Sequence, residues 1–284
     1  GGKADIFVTP NEEELIKLMG LLRGEKKRYT VIGNGSNVLV SDSGIRGVTI
    51  CIGNPMGDVK LVSSEDPDEK IVEAGAGALL SRIANFAKDN SLTGFEALGG
   101  IPGTLGGGIL MNAGAYGSEI KDVLFDARVL TPGGEVVVKG AEELSLSYRH
   151  SAIMDEGGIV LSGRIRLKVG DKEEIKKRME ELSFQRREKQ PLEYKSAGST
   201  FKRPIPLPGE EQKYASKLID DAGLKGFEVG DAEVSSKHAG FIINKGNATA
   251  TDIFRLIKHV EEEVYKKTGT KIEPEVRFLG DFPE

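Results

Sequence analysis

The sequence predicts an α+β protein of two or three domains, on three observations. At 284 residues the chain can hold that many separate cores. An apolar fraction of 38 % against 29 % charged is the balance of a globular protein rather than a disordered one. Near the N-terminus an amphipathic helix is followed by three short β-rich runs, the order of a small α+β unit.

Taken in order, Thr9-Pro10-Asn11-Glu12 reads as a capping box with Pro10 at the first helical position. Leu15, Leu18, Met19 and Leu22 then recur at helical spacing, and Gly24 closes the helix. The β-rich runs are RYTVI (28–32), NVLV (37–40) and GVTICI (47–52). Two further strands, near 59–62 and 70–74, flank the acidic turn SSEDPDE. Leu79, Leu80, Ile83, Phe86 and Ala87 form one face of a second helix that ends near Asn90. DVLFDARVLTPGGEVVV reads as a hairpin around Pro132-Gly133-Gly134, and 158–169 as another strand. Asp171 and Glu174 cap a charged helix whose Ile175, Met179 and Leu182 face inward; Pro191 stops it and marks a domain boundary. Beyond lie a polar loop (195–203), a proline-rich turn (204–208) and a short helix near 215–222. A long helix over about 249–269 carries Ile253, Leu256, Ile257, Val260 and Val264 on one side, and VRFLG closes the chain as a strand.

Composition narrows the function. A net charge of −5 and a pI near 5.5 argue against a nucleic-acid partner. Cys51 is the one cysteine, which excludes an internal disulfide and points to a reducing cytosol. No stretch reads as a signal peptide or membrane span. His150, His238 and His259 have no partner at metal spacing, so no metal site is expected.

The stretch GGIPGTLGGGILMNAGAYG (99–117) stands apart. With Gly94 it packs nine glycines into 94–117, and no charge falls between Glu96 and Glu119. Such density suits main chain that approaches a flat or anionic ligand closely, and equally suits tight packing of strand on helix. In VIGNGSNVLVSD (31–42), Gly33-Asn34-Gly35 invites the dinucleotide fingerprint, but Val38 stands at the third glycine position and a strand follows. A strand–turn–strand there can present N–H groups to a pyrophosphate, or be a plain hairpin. The P-loop pattern is absent, which argues against an ATPase or GTPase.

Two glycine-rich segments with an Ala74-Gly75-Ala76 turn between them suggest a large cofactor lying across several backbone loops. GNGSNVLVSD, GGIPGTLGGGILMNAGAYG, SYRHS, SAGSTFKRP, LIDDAGLKG, KHAGFIIN and IEPEVRFLG occur in that order. The whole set, nearly end to end, resembles the UDP-N-acetylenolpyruvoylglucosamine reductase family of peptidoglycan precursor synthesis. The short 169–199 region is similar to the family's compact type, which lacks a lid loop. The family usually carries residues ahead of Gly1-Gly2, and Ser216 stands where glycine is common.

The resemblance implies a two-part FAD-binding region of the vanillyl-alcohol oxidase-like type (1–52 and 53–188) followed by an α+β substrate domain (189–284). It implies non-covalent FAD on Gly33, Asn34, Gly35, Ser36, Asn37, Gly75, Ala76, Gly99, Gly100, Pro102, Gly103, Thr104, Gly107, Asn112, Ala113, Gly114, Ala115, Ile159 and Val160. NADPH is implied as hydride donor and UDP-N-acetylglucosamine enolpyruvate as substrate. Arg149, Ser199 and Glu275 match the family's catalytic positions, and Tyr148, Lys202, Arg203, Lys217, His238 and Asn244 fall in substrate-side motifs. A guanidinium at Arg149 suits a carboxylate bidentately, and Ser199 would be the proton donor to carbon. The rival readings are another FAD oxidoreductase of this fold acting on an alcohol or hydroxy acid, and a nucleotide-sugar binding module without turnover.

Overall fold

The computed structural model describes residues 1–62, 66–206, 209 and 211–283. The expected acidic turn and proline-rich turn therefore fall partly outside the described residues. The chain divides into two compact units, a larger one of Ile6–Gly35 and Gly47–Gln185 and a smaller one of Gly1–Asp5, Ser36–Arg46 and Arg186–Glu284.

In chain order the elements are β1 (Ala4–Val8), α1 (Glu12–Gly24), β2 (Tyr29–Ile32), β3 (Val38–Val40), β4 (Ile45–Cys51), β5 (Val59–Val62), β6 (Glu69–Gly75), α2 (Leu80–Asp89), β7 (Leu92–Thr93), α3 (Leu105–Leu110), β8 (Gly114–Ala115), β9 (Ser118–Glu119), β10 (Leu124–Leu130) and β11 (Val136–Gly140). They continue with α4 (Ala152–Glu156), β12 (Ile159–Val169), α5 (Lys172–Lys189), β13 (Lys195–Ser199), α6 (Ala215–Asp221), β14 (Glu228–Val229), β15 (Ala232–Val234), β16 (Phe241–Asn244), α7 (Ala250–Thr268) and β17 (Arg277–Leu279).

The larger unit is built on an antiparallel sheet ordered β11-β10-β12-β6-β5, with β7 also paired to β12. Period-two patterning explains β12: Gly163, Ile165 and Leu167 are buried, whereas Arg164, Arg166 and Lys168 alternate with them. Helices α2 and α3 bury Leu80, Ile83, Leu105 and Ile109 in the same core as Val72, Ile165 and Leu167. Each such side chain contributes roughly 1.5–3 kcal/mol. A Cβ on Gly163 would lie 2.8 Å from Ile109, so α3 rests directly on the strand. On the other face Arg128 forks onto the Glu12 carboxylate at 2.6 and 3.0 Å, tying α1 to the sheet. The helix start lies two residues later than the sequence suggests. Asn11, not Thr9, is the N-cap, and it shares a capping box with Glu14, which leaves Pro10 outside the helix.

The smaller unit has an antiparallel sheet ordered β13-β16-β15-β14. Helices α6 and α7 bury Ile219, Leu256, Ile257, Val260 and Val264 together with Val234 and Ile242 of the sheet. Strand β13 replaces the expected polar loop. KSAGS has no apolar alternation, and only its ladder with β16 makes it a strand. β3 pairs in parallel with β17, Val38 opposite Arg277, while β2 pairs in parallel with β4. The two strands flanking Gly33–Asn37 are thus not a hairpin.

α7 is capped twice. Thr249 and Asp252 form the capping box, and Gly269 ends the helix at φ 68°. The Asp42 carboxylate also accepts the N–H groups of Ala250 and Thr251 and the Thr251 hydroxyl, at 2.7–2.8 Å. The Thr251 hydroxyl is the largest influence holding the Asp42 carboxyl below its usual range; the two amides add to it, and burial opposes them. A carboxyl lowered in the folded state contributes stability above its unfolded pKa of about 3.9 and loses it as pH falls through the folded value. Asp42→Ala is expected to cost about 1 kcal/mol at pH 7, as removing a helix cap does. Thermal melts should show that cost shrink as pH falls through the folded-state value.

Candidate active site

In the larger unit the glycine-rich segment splits between packing and exposure of main chain. A Cβ on Gly99 would lie 2.4 Å from Ala84, one on Gly75 2.1 Å from the Met56 carbonyl, and one on Gly114 2.7 Å from Glu119 Cγ. These glycines are required by neighbouring protein. Gly107 meets only Thr104 Oγ1, at 3.9 Å. Thr104 holds α3 to the turn after β6: Leu105 and Gly106 donate to Ala78 and Ala76, and Leu80 donates to Gly103. Its own hydroxyl is buried and takes no hydrogen bond among the described residues, a state shared there with Thr49. A Cβ on Gly33, at the end of β2, would lie 2.5 Å from that hydroxyl. Among the described residues, no hydrogen bond is formed by the N–H groups of Asn34 and Gly35. Cys51 Sγ reaches the Gly33 carbonyl at 3.5 Å. Ile159 and Val160, the first residues of β12, are buried opposite Leu130 and Val129.

Arg149 sits in the same unit at φ 56°, a left-handed conformation costly for a non-glycine residue, by about 1–3 kcal/mol. Ser147 and His150 close the turn around Tyr148-Arg149 with reciprocal main-chain bonds of 3.1 Å. Two buried side chains fasten it to the end of α3. Asn112 donates to the Ser147 carbonyl at 3.1 Å, and the Ser151 hydroxyl donates to the Leu110 carbonyl at 2.8 Å. The guanidinium lies over the Tyr148 ring, 4.9 Å from its centroid. Asn112 is fully buried at φ 41°. Its amide is committed within the chain, while Ala113 and Ala115 make main-chain pairings with Ile120 and Ser118. A cavity of about 830 Å³ elsewhere in this unit, lined by Glu69, Asp122, Phe125, Glu143, Arg166 and Lys168, contains no sequence-predicted site residue.

In the smaller unit the register of β13 on β16 shifts between Ser196 and Ser199. Gly198 at φ 79° makes that shift possible and turns Ser199 outward at the strand end. Thr200, next along, is buried and fully committed. Its N–H donates to Gly240, its hydroxyl accepts from Ile242, and its carbonyl accepts the Glu275 N–H at 2.8 Å. The Glu275 main chain is therefore tied to the residue that follows Ser199. The Asn37 amide donates to the Glu275 carbonyl at 3.1 Å, and the Asn37 carbonyl accepts the Arg277 N–H. Val276 is buried between half-buried Glu275 and exposed Arg277, the alternation of an extended segment.

The match to known proteins decides the family. Over 99 % of its length the chain is 51 % identical to the UDP-N-acetylenolpyruvoylglucosamine reductase of Agathobacter rectalis, covering 90 % of that protein. The chain belongs to the UDP-N-acetylenolpyruvoylglucosamine reductase family. The reductase of Caldanaerobacter subterraneus subsp. tengcongensis is 50 % identical over 99 % of the chain and 89 % of its own length. The crystal structure of the reductase from Thermus caldophilus is 36 % identical, with a TM-score of 0.79, over 96 % of this chain and 92 % of that one. The model of an FAD binding domain matches residues 4–140, and that of the UDP-N-acetylenolpyruvoylglucosamine reductase C-terminal domain matches 190–279. The expected class is met: a mixed α/β FAD-binding region followed by the reductase C-terminal domain.

The residues present fit FAD. The buried, unpartnered Thr104 hydroxyl, the bare Gly33 beside it and the uncommitted N–H groups of Asn34 and Gly35 form a donor surface for an anionic group. The remaining predicted positions differ in what they offer. His238 accepts the Gly240 N–H at Nδ1, so in the neutral ring the proton resides on Nε2. Burial is the main influence lowering the imidazole pKa, which keeps the ring neutral at pH 7. Lys202 pairs with Glu273 at 3.5 Å and Lys217 with Asp221, both exposed. Asn244 spends its amide on the Gly246–Ala248 turn. Among the described residues no helix is long and apolar enough to cross a membrane, and none of the His, Cys, Asp or Glu side chains cluster as metal ligands.

A buried hydroxyl without a partner costs about 1–3 kcal/mol. Thr104→Val is therefore expected to leave the flavin-free protein at least as stable as the parent in thermal melts. The same change should weaken FAD about tenfold in a flavin fluorescence titration, the worth of one hydrogen bond. Unchanged affinity would remove the hydroxyl from the cofactor site.

Proposed function

We propose that the chain reduces the enolpyruvyl ether of UDP-N-acetylglucosamine enolpyruvate to UDP-N-acetylmuramate, with NADPH as hydride donor. The observation that carries this reading is the 2.8 Å bond from Glu275 N–H to the Thr200 carbonyl. It ties the Glu275 main chain to the residue that follows Ser199, which supports assigning the serine and the carboxyl to one task; Arg149 is assigned as the cation. The names of the full-length relatives support the same substrate. We further assign 1–52 and 53–188 to the cofactor and 189–284 to the nucleotide-sugar.

FAD, when bound, would supply the two-electron chemistry that links NADPH to the vinyl carbon. What the chain must then do is manage charge and one proton. Negative charge grows on the carbon next to the substrate carboxylate as hydride arrives, and a bidentate guanidinium stabilises it best. Arg149 is assigned that task, with Tyr148 beneath it fixing the guanidinium plane. Ser199 donates the proton to carbon from the outward end of β13. Glu275 is assigned to orient or protonate beside the substrate carboxylate, its main chain pinned by Thr200 and Asn37. Lys202 and Arg203 are assigned to the diphosphate, with Lys217, His238 and Asn244 in the nucleotide-sugar region. None of the three histidines lies within the glycine-rich segments of the sequence; His150 pairs with Asp155 and His259 stacks on Phe227.

Non-covalent flavin is expected to leave the protein on acid precipitation and colour the supernatant. In stopped-flow experiments Ser199→Ala should keep flavin reduction by NADPH within about twofold. Reoxidation by the enolpyruvyl nucleotide should fall at least about 10²-fold, the usual worth of a positioned acid. Equal damage to both half-reactions would give the serine a structural task instead. Full activity in Glu275→Gln would end the role assigned to that carboxyl.

A further inference from the structure

We infer that Glu119 is a positioning residue for Arg149, its carboxylate setting the guanidinium in place before the substrate carboxylate arrives. The inference rests on the proposed role of Arg149. Glu119 lies on β9, paired with Gly114 on β8. A Cβ at Gly114 would come within 2.7 Å of both Glu119 Cγ and the Ser118 carbonyl, so the bare glycine lets β9 and the glutamate stem pack against it. The Asn112 amide joins carboxylate to turn. Its nitrogen donates to Glu119 Oε2 at 3.0 Å and to the Ser147 carbonyl at 3.1 Å, and its oxygen accepts the Lys121 N–H at 3.0 Å. Ser147 is the residue that closes the arginine turn.

Charge supports the same link. Burial pushes the Glu119 carboxyl upward; the bonds from Lys121 and Asn112 and the charges of Lys121 and Arg149 outweigh it and leave it lowered. Glu119 is therefore an anion at neutral pH, within electrostatic reach of Arg149. Lys121, at 2.8 Å, has a side chain 47 % exposed, so solvent weakens its hold on the carboxylate. A carboxylate held by a buried amide that also fastens the arginine turn, and within the electrostatic reach of its guanidinium, supplies a counter-ion that an arriving anion can replace.

The test separates charge from hydrogen bonding. Glu119→Gln keeps an acceptor for Asn112 and removes the charge, whereas Glu119→Asp keeps the charge at shorter reach. In FAD-loaded protein Glu119→Gln is expected to slow reoxidation by the enolpyruvyl nucleotide about tenfold, leaving reduction by NADPH within about twofold. Glu119→Asp should be impaired less, and in an Arg149→Ala background Glu119→Gln should add nothing. Asp worse than Gln, equal loss in both half-reactions, or full additivity with Arg149→Ala would overturn the inference. A second readout does not depend on turnover. The Glu119 carboxyl titration, followed by carbon NMR, should move upward in Arg149→Ala, and an unmoved titration overturns the pairing. Failure of the parent protein to turn over the enolpyruvyl nucleotide would instead overturn the proposed function.

Discussion

The larger unit depends on one buried amide that has a single workable orientation. Asn112 turns its nitrogen to two acceptors, Glu119 Oε2 and the Ser147 carbonyl, and its oxygen to the Lys121 N–H. Flipping the amide would set oxygen against oxygen and N–H against N–H, at a cost of several unsatisfied buried groups. The side chain has no exposure with which to recruit water. Its own left-handed backbone and that of Arg149 are both unfavourable, and the hydrogen bonds of one residue help to hold both. The glycine-rich segment and the arginine turn are thereby one construction, although 36 residues lie between Asn112 and Arg149 in the chain.

Thr200 plays the matching part in the smaller unit. Its amide, hydroxyl and carbonyl all serve β16 or the Glu275 segment, which leaves it nothing to offer a ligand. That commitment frees its neighbour: Ser199, one residue earlier, stands at the strand end beyond the Gly198 irregularity. Asn37 works on the same segment from the other side, so Glu275 has its N–H and its carbonyl both taken. A carboxyl that must act on a substrate gains from a backbone that cannot move.

Much of this was legible in the sequence, and the reason is periodicity. The buried faces of α1, α2 and α7 and the strands around Pro132-Gly133-Gly134 follow from where their apolar residues recur. KSAGS shows the limit. Its strand state comes from a ladder with residues more than forty positions away, which no local pattern reveals. The same holds for β14 to β16, too short to carry a pattern of their own. The cap of α1 is Asn11 rather than the expected Thr9, because Asn11 and Glu14 satisfy each other's main-chain N–H groups. Of the site, the ordered motifs supplied the residues proposed for the chemistry. They did not disclose Thr200, Glu119 or Ser151, whose importance lies in partners distant in sequence. A glutamate three residues before an aspartate reads as a capping box, which Glu119 and Asp122 also form.

The glycines that first drew attention turn out to serve two masters. Gly75, Gly99 and Gly114 are bare because protein atoms lie where a side chain would be. Gly33 is bare opposite a hydroxyl that has no partner. Sequence density alone could not separate these, since both demand the absence of a Cβ. They are linked physically. Close packing at Gly99 and Gly75 seats α2 and the turn after β6, and that turn supplies the carbonyls of Ala76 and Ala78 which fix the start of α3. Thr104 stands at that start, so its hydroxyl is held against Gly33 by glycines that protein atoms crowd. Rigidity in one set is what allows the other to present a donor at a fixed place, before any ligand arrives to order it.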